Sequence, residues 1–533
     1  MHDRSRGRWW RLLLVLLVVA LVAAACGGDD DDDDAQGPDA SDDNGAPVEG
    51  GSATILLFSE IGTLDPVKMT ASGGSDGQRG FALYGSLLVT DPETYEVEPL
   101  LAQSFEPNAD ATVWTLKIKP GIVMSDGSPY DAAAVKANWD RAKDIANRSP
   151  SLTTLLPVST IEVTDPLTLT VTLGAPNAHF DKAISRVGTN YIASAKALAD
   201  GTDLTSTAIG AGPYLLKEWR RDDRMVLEKN PQWKGGEGPY LDTITFRVAS
   251  DEDQRIDTFA TGGADAFYTS TPASVTRAQD EVNGAKYASV DVTTGQAFSF
   301  NTTKPPFDDL RMRKAFAQGV DWQAMADAVF GEGAEAPYNF TLEGTPWYDE
   351  RAELPPYDAA AAQKLIDEYV ADHGGTPVTV NFQAFQQTLD QARVQFIQTA
   401  MNQLDNIEVK VNVGDSPTNI QRVLNAEYEA TSWGYPVLDP DPGLYVSAHS
   451  KSFNNYSKYK NPEVDALLDE ARLLTDADER EPLYDKVWRQ LAKDIPYYPY
   501  VKTTNGFVGT PRLGGLAVIL DGIIRVDLLY KAG

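Results

Sequence analysis

Covalent and metal chemistry has few candidates in this chain. His179, His373 and His449 stand far apart, and none has a histidine or cysteine at metal-ligand spacing; a structural zinc site is excluded in practice, and each is expected on the surface or in a loop. Gly73-Gly74-Ser75-Asp76-Gly77 satisfies the G-x-S-x-G pattern of a hydrolase nucleophile elbow. That elbow needs an apolar strand before it, whereas Lys68-Met69-Thr70-Ala71-Ser72 precedes this one, so the run reads as a glycine-rich surface loop. Asp439-Pro440-Asp441-Pro442-Gly443 gathers two carboxylates, but proline at alternate positions makes a rigid turn of it rather than an acid/base pair or a calcium loop. The chemistry left is recognition by aromatic rings. Trp347-Tyr348, Trp433-Gly434-Tyr435-Pro436 and Tyr497-Tyr498-Pro499-Tyr500 all lie between periodic segments. Trp433 precedes a Gly-Tyr-Pro turn, where a large ring can project into a cleft or pack under the loop; the cleft is the expectation.

The elements that must carry these residues alternate between strand and helix. Leu167 to Leu173 has strict period two, and Trp114 to Ile118 alternates likewise. Further strands are expected at Ala53 to Phe58, Thr243 to Val248, Phe298 to Asn301, Val378 to Phe382 and Glu408 to Val413. Leu389, Arg393, Phe396, Ile397, Ala400, Met401 and Leu404 form a mostly apolar helical stripe. Val464 to Ala471 and Leu483 to Leu491 read as helices with Pro462 and Pro482 near their starts, and Trp488 belongs to the core. Ser128-Pro129 before Tyr130 to Lys143 reads as an N-cap with proline in the first turn. The class is α/β, without internal repeats.

The N-terminus is of another kind. Arg4, Arg6, Arg8 and Arg11 precede the apolar run Leu12 to Ala25, which ends at Cys26, the only cysteine of 533 residues. A basic head, a short apolar body and small residues before the cut make residues 1–25 a signal peptide. The run is about 21 Å long as a helix, too short for a hydrocarbon core of about 30 Å. Residues 26–52 hold the aspartates Asp29 to Asp34 and no aromatic or basic side chain, and read as a disordered acidic tether. Nothing later reaches the length of a membrane span. A formal net charge of −31 excludes a nucleic-acid role in practice.

Ala23-Ala24-Ala25-Cys26 is similar to a bacterial lipobox, which implies a diacylglycerol on Cys26 and a protein held at the membrane outside the cytoplasm. The globule resembles a family as well. Thr63-Leu64-Asp65-Pro66, the block from Pro99 to Glu106, Trp114 to Ile122 continuing into Ser125 to Pro129, Ile209 to Tyr214, Leu227 to Trp233, Phe300 to Asp309 with Arg311 and Arg313, and Ile495 to Tyr500 stand in the order of the solute-binding lipoproteins of bacterial ABC importers. The class is that of oligopeptide, dipeptide and nickel binding, family 5 of the extracellular solute-binding proteins. The resemblance implies a two-lobed periplasmic-binding-protein-like fold with a hinge. Lobe I would be 53–290, with an extra subdomain at about 85–190, lobe II 291–502, and 503–533 would return to lobe I. It implies a monomer without catalytic residues, metal or cofactor, which closes on a solute and presents it to permease subunits. The expected solute contacts are Glu60, Ile61, Thr63 and Tyr268 from lobe I, and Trp433, Tyr435 and Asp439 from lobe II. Peptide-binding members carry an aspartate three residues after the tryptophan matched by Trp433, where it pairs with the peptide ammonium. Here that residue is Pro436, and a buried ammonium without a carboxylate costs several kcal/mol. An oligosaccharide therefore competes with a peptide as the solute, a nickel chelate less so. A sensor's extracytoplasmic partner would have the same sequence, and a secreted hydrolase would lack an evident base.

Overall fold

A computed structural model describes residues 46–533 except 72, 75, 293–296, 332, 387, 434–438, 453 and 533. The expected signal peptide, Cys26 and most of the expected tether lie outside the described residues, as do Tyr435 and Pro436. The last residues of that tether are already bonded: Gly50 N–H donates to the Tyr240 carbonyl at 2.8 Å and Gly51 N–H to Asp242 Oδ2 at 3.1 Å.

The apolar run in Ser52–Leu57 makes a strand with both faces covered. Ala53, Ile55 and Leu57 enter one core and Leu56 another, the pattern of a strand inside a parallel arrangement. It pairs in parallel with Thr243–Val248 on one side and Ala266–Thr269 on the other. The seven-stranded sheet around it runs, edge to edge, Lys286–Val292, Thr503–Gly509, Ala266–Thr269, Ser52–Leu57, Thr243–Val248, Arg224–Lys229, Tyr214–Arg220. A separate antiparallel sheet is built from Ala102–Pro107, Val113–Ile118, Thr168–Leu173 and Val158–Asp165. The alternation of Thr168–Leu173 buries Leu169, Val171 and Leu173 as expected. The helix Ala132–Lys143 belongs with this sheet, but its N-cap is Asp131, whose side chain accepts from Ala134 N–H. Ser128 does not cap it: Pro129 is held in an extended bridge with Val123, and the Ser128 hydroxyl bonds Asp126 instead.

The second main sheet has five strands in the order Ile407–Gly414, Val378–Phe385, Ala430–Ser432, Ala297–Phe300, Tyr497–Pro499. The first three are parallel and the last two antiparallel to their neighbours. Its core joins Phe298, Phe300, Phe382, Trp322, Trp488 and Tyr498. The helix Thr388–Met401 sets the expected stripe on this core, with Ile397 and Met401 buried and Phe396, Ala400 and Leu404 packed against it; Val394 joins them, while Leu389 stays 44% exposed. Pro462 opens its helix, Pro462–Ala471. Pro482 instead sits inside Ala477–Asp494, because Asp476 caps that helix earlier, accepting from Asp478 and Glu479 N–H.

The chain passes from the seven-stranded to the five-stranded sheet between Val292 and Ala297, and returns between Pro499 and Thr503. Aromatic stacking braces the return: Phe298 lies on Tyr500 at 4.3 Å and Trp322 on Tyr498 at 4.7 Å.

Candidate functional site

The strand registers bring two sets of strand ends to this crossing. In the seven-stranded sheet Thr269 lies opposite Gly506, and Val292 opposite Thr503 where the chain leaves and re-enters. The parallel strands Ser52–Leu57 and Ala266–Thr269 therefore run with their carboxyl ends toward the crossing. In the five-stranded sheet Ser432 lies opposite Phe298, and Trp433 N–H donates to the carbonyl of Ala297, the first described residue after the crossing, at 3.1 Å. The parallel strands Val378–Phe385 and Ala430–Ser432 thus end there too. Carboxyl ends of parallel strands leave the crevices in which α/β proteins hold ligands.

Aromatic rings stand at both sets of ends. Phe58, directly after Ser52–Leu57, is 37% exposed and lies 5.5 Å from Tyr268. Tyr268 is buried, packs edge-on against Phe507 and donates from its hydroxyl to Asn505 Oδ1 at 2.9 Å; burial pushes the phenol's pKa up. On the other side half-buried Trp433 meets Tyr456 at 5.3 Å and Phe385 at 6.2 Å. Arg393, on the helix after Phe385, pairs with buried Asp390 at 2.6 Å and holds its guanidinium 5.2 Å from the Tyr500 ring.

The remaining expected contacts are placed differently. Glu60 is committed to backbone donors: Oε1 accepts from Ile61 N–H in its own loop and Oε2 from Asp222 N–H in the turn between Tyr214–Arg220 and Arg224–Lys229, both at 2.7 Å. Ile61 points into the larger core, and Thr63 Oγ1 accepts from Asp65 N–H at 3.1 Å. Beneath them Arg79 is buried and donates to the Ser59 carbonyl at 3.0 Å. Burial lowers its pKa to about 10, against the opposing pull of Glu60 and Asp76.

Gly73, Asp76 and Gly77 do not lie in a surface loop: all three are buried. A Cβ at Gly73 would fall 1.8 Å from the Asp521 carbonyl oxygen. Gln78 staples the segment down, donating to the Gly73 and Gly522 carbonyls and accepting from Ile524 N–H. Two of the histidines are likewise inside: His179 is 3% exposed and His449 2%. Among the described residues no group of three or more His, Cys, Asp or Glu side chains is arranged to hold a metal ion.

Asp439 is buried and caps the helix Pro440–Ala448. One of its oxygens takes Lys182 Nζ at 2.5 Å and Arg480 Nη1 at 3.4 Å; the other takes Arg480 Nη2 at 2.7 Å and Asp441 N–H at 3.0 Å. Four donors fill the acceptor directions of a carboxylate. Burial alone would raise this carboxyl, but Lys182 and Arg480 overcome it and hold the group well below the usual carboxylate range.

Phe58, Phe385, Tyr456, Arg393 and Lys182 were not singled out from sequence. Only Arg393 carried a signal, as a lone charge in an apolar stripe.

Residues 96–456 match the model of the bacterial extracellular solute-binding proteins, family 5 Middle. The glutathione-binding protein GsiB of Pectobacterium atrosepticum is 28% identical, over 89% of this chain and 93% of its own. In fold the chain is similar to DppA of Helicobacter pylori, solved with the peptide STSA, at 22% identity and TM-score 0.75, covering 91% of this chain and 99% of that one. It is similar also to AgaA of A. tumefaciens R10, solved with agropinic acid, at 21% identity and TM-score 0.76, with coverage of 91% and 99%.

Proposed function

The chain belongs to family 5 of the bacterial extracellular solute-binding proteins of ABC importers, binding proteins rather than enzymes, and on that premise we propose that it captures a peptide or peptide-like solute between two lobes and delivers it to an ABC-type permease. On this reading lobe I comprises residues 53–290 and 503–533, with an added subdomain at about 85–190, and lobe II comprises 291–502. The observation that carries it is the meeting of the two sets of parallel-strand ends at the crossing, with Phe58 and Tyr268 on one side and Phe385, Trp433 and Tyr456 on the other. Rings of this kind give a buried solute apolar contact and stacking, and backbone groups at strand ends give it direction. Micromolar affinity requires about −8 kcal/mol, within reach of such a site.

GsiB is named for glutathione and DppA was solved with a peptide, which supports a peptide-like solute. Asp439, saturated by this chain's own cations, supports an oligosaccharide or another solute without a free ammonium as the second reading. Attachment through a lipid on Cys26, action as a monomer and partnership with permease subunits complete the proposal.

A thermal-shift panel of di- and tripeptides, glutathione, N-blocked peptides and oligosaccharides tests it, because a ligand that binds only the native state raises its melting temperature. A shift from at least one peptide-like compound is expected. A shift confined to sugars would replace the solute class.

A further inference from the structure

Asp439 belongs to the body built on the five-stranded sheet, and Lys182 to the short helix Phe180–Ser185 that follows the four-stranded sheet. Their ion pair therefore joins the two bodies. It is one of three direct bonds in a row. Ala178 N–H donates to the Arg472 carbonyl at 3.0 Å, and His179 Nε2 lies 2.8 Å from the Leu474 carbonyl. Lys182 and Asp439 are both buried, with side chains 10% and 5% exposed, so the contact is shielded from salt in a way that a surface pair is not.

Each side of the seam is braced independently. On the first side Asn177 accepts from His179 N–H through its side chain at 2.8 Å, and its carbonyl accepts from Trp114 Nε1 at 2.9 Å, which ties the segment to the strand Val113–Ile118. On the second side Arg480 grips Asp439 and lies against the Trp347 and Tyr484 rings, while Arg472 holds Asp441 through two bonds of 2.7 and 2.8 Å. Removing Lys182 would leave Asp439 still paired with Arg480. The pair is thus dispensable to either body and acts between them.

We propose that the segment Ala178–Lys182 is a latch: through Lys182 on Asp439 it holds the two bodies together without any solute, and so sets how much of the solute-free protein is already closed. The proposal rests on the two-lobe reading above. All its groups belong to this chain, so its contribution is present before a solute arrives. A solute then meets a protein partly closed in advance, which strengthens apparent affinity by the fraction already competent.

The test is a distance distribution between the bodies, measured by single-molecule energy transfer. Dyes would be placed on Ile145→Cys, at a position 77% exposed, and Lys364→Cys, whose side chain is 78% exposed, in the full chain carrying Cys26→Ser. Solute-free protein with Lys182 intact is expected to show a short-distance population. Lys182→Met should shift the short-to-long ratio by tenfold or more, and Lys182→Arg should largely keep it. In Lys182→Ala, which leaves room for it, millimolar propylammonium chloride should restore the short population, whereas sodium chloride at the same ionic strength should not. If Lys182→Met does not fold, His179→Phe, which removes the bond to the Leu474 carbonyl, is expected to shift the ratio in the same direction. An unchanged distribution in the folded variants would overturn the latch. These measurements need no solute, so they stand whatever the ligand panel finds.

Discussion

Trp433 and Tyr456 meet edge-on, their ring centroids 5.3 Å apart with an interplanar angle of 75°, at the end of the strand Ala430–Ser432. Phe385 adds a third ring at the end of the neighbouring parallel strand. This arrangement fixes one face of the indole and leaves a half-buried ring at the crossing. Trp433→Ala is expected to weaken binding of a solute identified in the panel by at least tenfold, about 1.4 kcal/mol. Because the ring also packs on two neighbours, the melting temperature of the solute-free protein should fall by a few degrees. Trp433→Phe should recover most of both. Calorimetry and a thermal scan of the three proteins decide it; undiminished affinity in Trp433→Ala would remove the ring from the site.

Saturation of Asp439 bears on ligand charge. Lys182 already occupies it as an ammonium, so a solute amine finds no open acceptor there. Unblocked di- and tripeptides are expected to bind weakly in calorimetry, and N-acetylation should cost them nothing. Submicromolar binding that is lost on blocking the amine would mean that a carboxylate other than Asp439 receives it.

His179 and Asp181 flank the seam and titrate in opposite senses. Burial, then Arg480, lowers His179 from 6.5 to about 4, while burial raises Asp181 from 3.8 to about 6. For a depressed histidine, stability is full above the unfolded pKa and is lost as pH falls from 6.5 through 4. For a raised aspartate, stability is full below 3.8 and is lost as pH rises through 6. The two slopes nearly cancel between pH 4 and 6.5. Chemical denaturation across that window should therefore show each slope alone when the other residue is changed: His179→Gln should gain stability on acidification, and Asp181→Asn should lose it. Parallel pH profiles for the two variants would contradict the assignment.

The proposed lipid attachment at Cys26 has its own test. Mature protein should partition into detergent and sediment with membranes, and Cys26→Ser should release it or leave an uncleaved precursor. Wild-type protein recovered wholly from the medium, with a free thiol, would exclude the lipid.

Local polarity made the regular elements readable. Thr168–Leu173 and Thr243–Val248 alternate because each shows one face to a core, and that face is written in consecutive residues. The cap at Asp131 was missed because Ser128 offers the same chemistry nearby, and an extended bridge at Pro129 decided between them. Burial of Gly73 depends on Asp521, and the commitment of Asp439 depends on Lys182. Neither partner is near in sequence, so no periodicity or spacing could announce it. The aromatic character of the candidate site was partly legible at Trp433, whose turn is local, but Phe58 read only as the last residue of a strand, and Phe385 lay beyond the strand expected at Val378 to Phe382.

The strand Thr503–Gly509 lies inside the seven-stranded sheet, bonded to Ala266–Thr269 on one side and to Lys286–Val292 on the other. Its two neighbours are made long before it. While the chain is being synthesised, everything from Ala297 to Pro499 must emerge before the gap between them can be filled, so the first sheet is the last to be finished. The second core needs no such late arrival for its parallel strands. Order of assembly thus runs against order of sequence: the later half can settle first, and the earlier half waits for a handful of residues near the end. A ribosome that stops short of Thr503 would leave the older part of the molecule with an open seam of unpaired backbone, the surface on which chains aggregate.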